Sequence, residues 1–184
     1  APMVIEGLAA VARSSGRRIM VRLVKGAYWD SEIKRAQIAG RPDYPVFTTK
    51  AATDLSYLVC AQRLIDAAPA LFPQFATHNA HSLAAVRHMA ARSGVEIEFQ
   101  RLHGMGEALY AAAEAGSVRA YAPVGGHEEL LPYLVRRLLE NGANSSFVHA
   151  LLDPDVPAAD VARDPITIVE EAPARHPRIP LPRD

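Results

Sequence analysis

Arg18-Ile-Met-Val-Arg-Leu-Val24 is the stretch that decides the fold class. The run is short and rich in branched side chains, which suit a pleated surface better than a helix, so it reads as a strand buried on at least one side. Lys25-Gly26-Ala27 closes it, and Ser31 to Ala39 follows with helical spacing. Upstream, Val4, Ile5, Leu8, Val11 and Ala12 stand at helical spacing as far as the breaker Ser14-Ser15-Gly16. The chain therefore opens helix, strand, helix.

The same unit recurs downstream. After the Gly40-Arg-Pro42-Asp-Tyr-Pro45 connection, Thr53 begins a helix whose apolar stripe is Leu55, Leu58, Val59, Leu64 and Ile65. Gln74-Phe-Ala-Thr77 is the next strand, with His78-Asn79 at its exit and a helix from Ser82 carrying Leu83, Val86 and Met89. Val95 to Gln100 alternates apolar and polar as a strand does, and Gly104-Met-Gly106 leads into a helix over Glu107 to Ala115. Val118 to Val124 is a fourth strand, and Glu128 to Asn141 is a periodic helix closed by Gly142. Strands alternating with helices predict an α/β fold with a parallel sheet under helical cover. Polar and glycine-rich residues gather after each strand, at the carboxyl ends where such sheets and barrels carry their sites. Residues 151–184 differ in texture: 7 of the 14 prolines lie there, and the segment reads as an extended linker without a helical period.

Composition narrows the function classes. The 184 residues carry 20 basic and 20 acidic side chains, so this segment lacks the electrostatic footprint of a nucleic-acid binder. No apolar run approaches the roughly 20 residues that span a bilayer. The lone Cys60 cannot form an internal disulfide, which suits a reducing compartment. No Gly-x-Gly-x-x-Gly follows the first strand, and P-loop, serine-nucleophile and paired CxxC patterns are missing. His78 and His81 are three apart, but no nearby carboxylate or cysteine completes a metal set, which favours a hydrogen-bonding or packing histidine.

Two groups of side chains carry candidate chemistry. Arg22 and Lys25 stand three apart, so an ideal strand sends them to opposite faces. Beside Gly26, where backbone can approach a ligand, they suit an anion or flavin contact as well as a solvated strand end. On the last helix, Leu130, Leu131, Leu134, Val135, Leu138 and Leu139 occupy one half of the wheel, and Tyr133, Arg136, Arg137 and Glu140 the other. Spacing fits either a solvent face of Arg–Glu pairs or a carboxylate clamp built on the guanidinium fork.

Longer motifs go further. Arg22-Leu-Val-Lys-Gly-Ala-Tyr-Trp-Asp30, Phe75-Ala-Thr-His-Asn79, Glu98-Phe-Gln-Arg-Leu-His-Gly-Met-Gly-Glu107, Tyr121-Ala-Pro-Val-Gly125 and Tyr133-Leu-Val-Arg-Arg-Leu-Leu-Glu-Asn-Gly-Ala-Asn144 stand in matching order. Together they closely resemble the flavin-dependent proline dehydrogenase domain, in the form found in the bacterial proline utilization A enzymes, where it is joined to an aldehyde dehydrogenase. The resemblance implies a distorted (βα)8 TIM barrel with FAD against the carboxyl ends of its strands. Residues 1–150 would be its C-terminal half, about four βα units with the last helix across the barrel mouth, and 151–184 would lead toward the aldehyde dehydrogenase.

The same resemblance assigns roles. Arg22 would lie by the flavin ring and stabilise charge there. Lys25, Gly26, Ala27, Trp29, Thr77 and His78 would hold the cofactor, and Tyr28, Leu102, Tyr121 and Tyr133 would line the substrate pocket. Arg136 and Arg137 would grip the carboxylate of L-proline, with Glu140 orienting them. The implied reaction is oxidation of L-proline to Δ1-pyrroline-5-carboxylate by hydride transfer to flavin N5, with a membrane quinone taking the electrons. The implied location is the cytoplasm, with contact to the inner membrane when the flavin is reduced. The family's lysine, its carboxylate near the substrate amine and its flavin-contacting glutamine match no residue here. Two other readings stay open: a non-catalytic half-barrel that needs a further half to hold FAD, and a phosphate-binding lyase on the same barrel, which the Tyr133, Arg136 and Glu140 cluster fits less well.

Overall fold

A computed structural model describes residues 1–26, 28–142 and 153–183, the side chains of 138–142 and 158 excepted. In chain order the elements are α1 (Pro2–Ser15), β1 (Ile19–Val24), α2 (Trp29–Ile38), α3 (Lys50–Asp66), β2 (Leu71–Ala76), α4 (Ala80–Ser93), β3 (Glu98–Leu102), α5 (Glu107–Ala112), β4 (Val118–Tyr121), α6 (His127–Gly142), α7 (Ala158–Val161) and α8 (Pro165–Glu171). They divide into two compact units, Ala1–Lys25 with Ser56–Pro132 and Gly26–Leu55 with Tyr133–Asp184. Among the described residues no helix is long and apolar enough to cross a membrane.

The first unit is a parallel sheet with strand order β1-β2-β3-β4. Its register aligns Leu23, Phe75, Phe99 and Val118 in one row across all four strands. Successive residues of a strand face opposite ways, so the neighbouring rows point to the other face. The Leu23 row is the helix-covered side. Phe75 and Phe99 are fully buried there, with ring centres 6.2 Å apart, and Tyr110 of α5 stands 5.9 Å beyond Phe99. Ile5, Ala9 and Ala12 of α1, Leu64 and Ile65 of α3, and Leu83 and Val86 of α4 close over them. Each such large side chain withdrawn from water stabilises the unit by about 1.5–3 kcal/mol.

The centre of the opposite face is polar and yet buried, while Met20 and Val24 of β1 and Arg119 of β4 on the same face are exposed. Glu98 accepts hydrogen bonds from Gln74 Nε2 (2.8 Å), Gln100 Nε2 (3.0 Å), and Arg119 through Nε (2.8 Å) and Nη2 (2.7 Å). These bonds link β2, β3 and β4 from the side away from the helices. The alternation in Val95 to Gln100 predicts an apolar-in, polar-out strand. In the structure Glu98 and Gln100 are both buried, and the strand begins only at Glu98. β4 likewise stops at Tyr121, short of Val124, because Pro123 lacks the N–H that a further ladder bond needs. On α1, Val4 and Val11 are exposed and Ala9 and Ala12 are buried. Small side chains let that helix approach the sheet, and they carry little periodicity signal.

The tail of the second unit also departs from expectation. Pro165 reads as a breaker, but it is the first residue of α8, where a missing N–H costs nothing, and Asp164 Oδ1 caps the helix by accepting from Ile166 N at 2.9 Å. Beyond it, Arg175 forms a two-pronged ion pair with Asp43 (2.7 and 2.8 Å), His176 N donates to Thr48 Oγ1 (3.0 Å) and Tyr44 Oη donates to the Pro180 carbonyl (2.7 Å). Residues 175–180 are thus tied to the 43–48 segment.

The Glu98 cluster has a pH signature. Hydrogen bonding to the Arg119 guanidinium holds the Glu98 carboxyl down to about 2 from its ordinary 4.5, with the two glutamine donors adding to the effect and burial opposing it. A depressed folded-state value contributes stability that is complete above about 4.5 and is lost as pH falls toward 2. Amide-exchange protection of the β2–β4 peptides, corrected for intrinsic exchange, should therefore fall through that window in the native protein. Glu98→Gln should lower protection at neutral pH and flatten the acid dependence. Equal slopes in both proteins would contradict the network.

Candidate active site

In the first unit the strand exits bring several of the expected residues together. Arg22 belongs to the more exposed set of β1 positions, and its guanidinium lies 5.3 Å from the ring centre of Tyr121 at the end of β4. β1 and β4 are three strand spacings apart, about 14 Å on a flat sheet. The contact therefore requires the sheet to curve toward its polar face. Lys25 goes the other way: Nζ donates to Ser82 Oγ at 2.9 Å and stands 5.1 Å from the Tyr57 ring centre, among α3 and α4. The three-residue spacing separates the two cations as an ideal strand would.

β2 exits through Thr77, His78 and Asn79. The cap of α4 is Asn79, whose Oδ1 accepts from Ser82 N at 2.8 Å, so the helix begins at Ala80. Thr77 Oγ1 accepts from Asn79 N at 3.1 Å. Tyr110 Oη stands 2.6 Å from the Thr77 carbonyl and 3.1 Å from that of Gln100, and its single proton serves the nearer. Burial pushes that phenol up to about 12. Leu102, at the end of β3, donates its N–H to His78 Nε2 at 3.1 Å.

That bond settles what His78 can offer. Burial lowers its pKa, and the charge of Arg101 lowers it further. A neutral imidazole whose Nε2 accepts must carry its proton on Nδ1, so the ring presents one neutral N–H donor. Gly106 packs against it: its φ is +72°, and a side-chain Cβ there would stand 2.9 Å from His78 Cδ2, so only glycine fits. Arg101 holds this turn through bonds to the carbonyls of Leu102 and Met105, both 3.3 Å, and an ion pair with Glu107 at 3.1 Å. Among the described residues no group of three or more His, Cys, Asp or Glu side chains gathers as a metal site.

The second unit holds the arginine pair. Arg136 Nη1 and Nη2 donate to Asp30 Oδ2 and Oδ1 at 3.0 and 2.7 Å, and its guanidinium lies 5.1 Å from the ring centre of Tyr28. Hydrogen bonding to Arg136 holds the Asp30 carboxyl below its usual range. Arg137 stands 4.9 Å from the ring centre of Tyr133, one turn earlier on α6. Trp29 Nε1 donates to the Phe47 carbonyl at 2.7 Å. A Cβ at Gly26 would meet nothing within 4 Å, and its φ is not positive. Ala27 lies outside the described residues, and so does the side chain of Glu140.

On α6 the polar side is the sheltered one. Tyr133, Arg136 and Arg137 are half-buried, whereas Val135 and Leu134 are 44% and 50% exposed. A fully solvated polar face does not describe the described side chains of this helix. Residues that pattern reasoning did not single out include Asp30, Arg101, Tyr110 and the Glu98 network. Asp30 lies within a quoted motif, but an acid in the first turn of a helix ordinarily signals the helix dipole. Its contact with Arg136 spans 106 positions and leaves no mark on local spacing.

Comparison with known proteins shows the family. The family model for proline dehydrogenase matches residues 1–150. The whole chain is 53% identical to the bifunctional protein PutA of Salmonella typhimurium, and it covers 15% of that protein. It is 32% identical to a mitochondrial proline dehydrogenase of Caenorhabditis elegans, over 72% of this chain and 23% of that protein. A crystal structure of a point mutant of Bradyrhizobium japonicum proline utilization A superposes with a TM-score of 0.91 at 57% identity, over 99% of this chain and 19% of that one. The chain thus spans less than a fifth of these bacterial relatives. With the family model covering most of its length, the chain belongs to the proline dehydrogenase family.

Proposed function

We propose that residues 1–150 form the C-terminal half of a distorted (βα)8 barrel that oxidises L-proline to Δ1-pyrroline-5-carboxylate with FAD, and that 151–184 lead toward a linked aldehyde dehydrogenase domain. The observation that carries the reading is the sheltering of the arginine side of α6, with each guanidinium beside an aromatic ring. The curvature implied by the Arg22–Tyr121 contact supports the barrel.

The residues suit the cofactor. Arg22 and Lys25 supply positive charge for an anionic dinucleotide, Thr77 and neutral His78 supply hydrogen bonds, and the open space over Gly26 allows close backbone approach. Ala27 and Trp29 complete the holding set. Bound FAD would supply the hydride acceptor for the ring carbon beside the proline nitrogen.

The protein's share is placement and charge. Arg136 and Arg137 hold the carboxylate, oriented by Glu140, and so fix which ring carbon is presented. Tyr28, Leu102, Tyr121 and Tyr133 wall the ring from water. Arg22 would stabilise negative charge as it accumulates beside it, and a guanidinium already in place needs little reorganisation to do so. A membrane quinone would take the electrons, with the enzyme cytoplasmic and at the inner membrane surface while reduced.

Two outcomes test this. Arg136→Met in the native full-length enzyme should raise the KM for L-proline at least tenfold, since a bidentate contact between charged groups is worth about 1.5–3 kcal/mol; an unchanged KM would contradict the assignment. Residues 1–184 purified alone should carry far less than one flavin per chain, because β1 and β4 each pair on one side only among the described residues. A stoichiometric visible flavin spectrum would show that four strands suffice.

A further inference from the structure

We propose that Asp30 is a positioning residue that sets Arg136 for the substrate carboxylate. The inference rests on the reading of Arg136 as a carboxylate-binding residue. Asp30 is in the first turn of α2 and Tyr28 immediately precedes that helix, so one short stretch of chain supplies both contacts to the guanidinium. The two act on different freedoms. The Tyr28 ring, 5.1 Å away, offers a surface for the guanidinium plane, and the two-pronged bond to Asp30, at 2.7 and 3.0 Å, fixes rotation within that plane. Together they define the orientation of a side chain with many rotamers.

A role in fold stability alone fits the contact poorly. The Asp30 side chain is 62% exposed and that of Arg136 only 18%. An ion pair with one partner largely in water is screened and adds little to stability. Ordering the sheltered partner beforehand does matter, because a substrate that meets an already oriented arginine does not lose affinity to immobilising it. Asp30 itself is held as the anion by Arg136 and by the backbone N–H of Ser31.

The alternative role, a resident carboxylate that competes with substrate, predicts the opposite sign, so one measurement separates them. In the native full-length holoenzyme, Asp30→Ala should raise the KM for L-proline about three- to tenfold with kcat within about twofold. Inhibition by prolinamide, which has the ring but no carboxylate, should be unchanged. In an Arg136→Met background, Asp30→Ala should add nothing, since the two act as one unit. Flavin content reports folding, and Asp30→Asn, nearly isosteric, replaces the alanine variant if flavin is lost. An unchanged or lowered KM would overturn the role of Asp30, and so would an equal loss of prolinamide binding. If Arg136→Met itself leaves KM unchanged, the carboxylate reading fails instead, and the two failures are distinct.

Discussion

The Glu98 carboxylate ties three strands together from the face that the helices leave bare, and the sheet depends on it. Gln74 and Gln100 would otherwise bring amide groups into a sheltered patch with no acceptor, at a cost comparable to lost hydrogen bonds. With that cluster satisfied, both faces of the ladder are compatible with burial: one through packed rings, the other through a closed polar network. The sheet can then curve far enough for a cation on its first strand to reach an aromatic ring on its fourth. The strand exits inherit their places from this ladder.

At those exits, tight packing sets chemical character. His78 is pinned between the Leu102 N–H and the bare Cα of Gly106, and burial keeps it neutral, so it offers one directed hydrogen bond in place of a charge. The second unit manages its charges differently. Its two arginines lie beside aromatic rings, which leave a guanidinium its hydrogen-bonding edge while covering its plane. One of them already holds a carboxylate, that of Asp30.

Much of this was legible in the sequence. The alternation of period-2 and period-3.6 segments predicts the order and kind of the strands and of the helices around them, and the sheet is parallel as such alternation requires. The failures share a physical cause: the patterns read one residue's polarity, and these positions depend on partners far along the chain. Glu98 looks solvent-facing because its partners lie on neighbouring strands. Pro165 looks like a break because its place at the start of a helix depends on the Asp164 cap. The sides of α6 cannot be ranked by polarity, since its arginines are half-buried while Leu131, Leu134 and Val135 are exposed. For Arg22, Lys25 and the arginine pair, spacing left a solvated and a functional reading equally open. Only the longer motifs favoured the second.

The proposed site would oxidise proline through a bound flavin. Anaerobic titration of the native full-length holoenzyme with L-proline, followed through the visible flavin absorption, tests that most directly. The account predicts progressive loss of the oxidised flavin band, with one flavin reduced for each proline consumed. A flavin spectrum that stays oxidised under excess proline would contradict it.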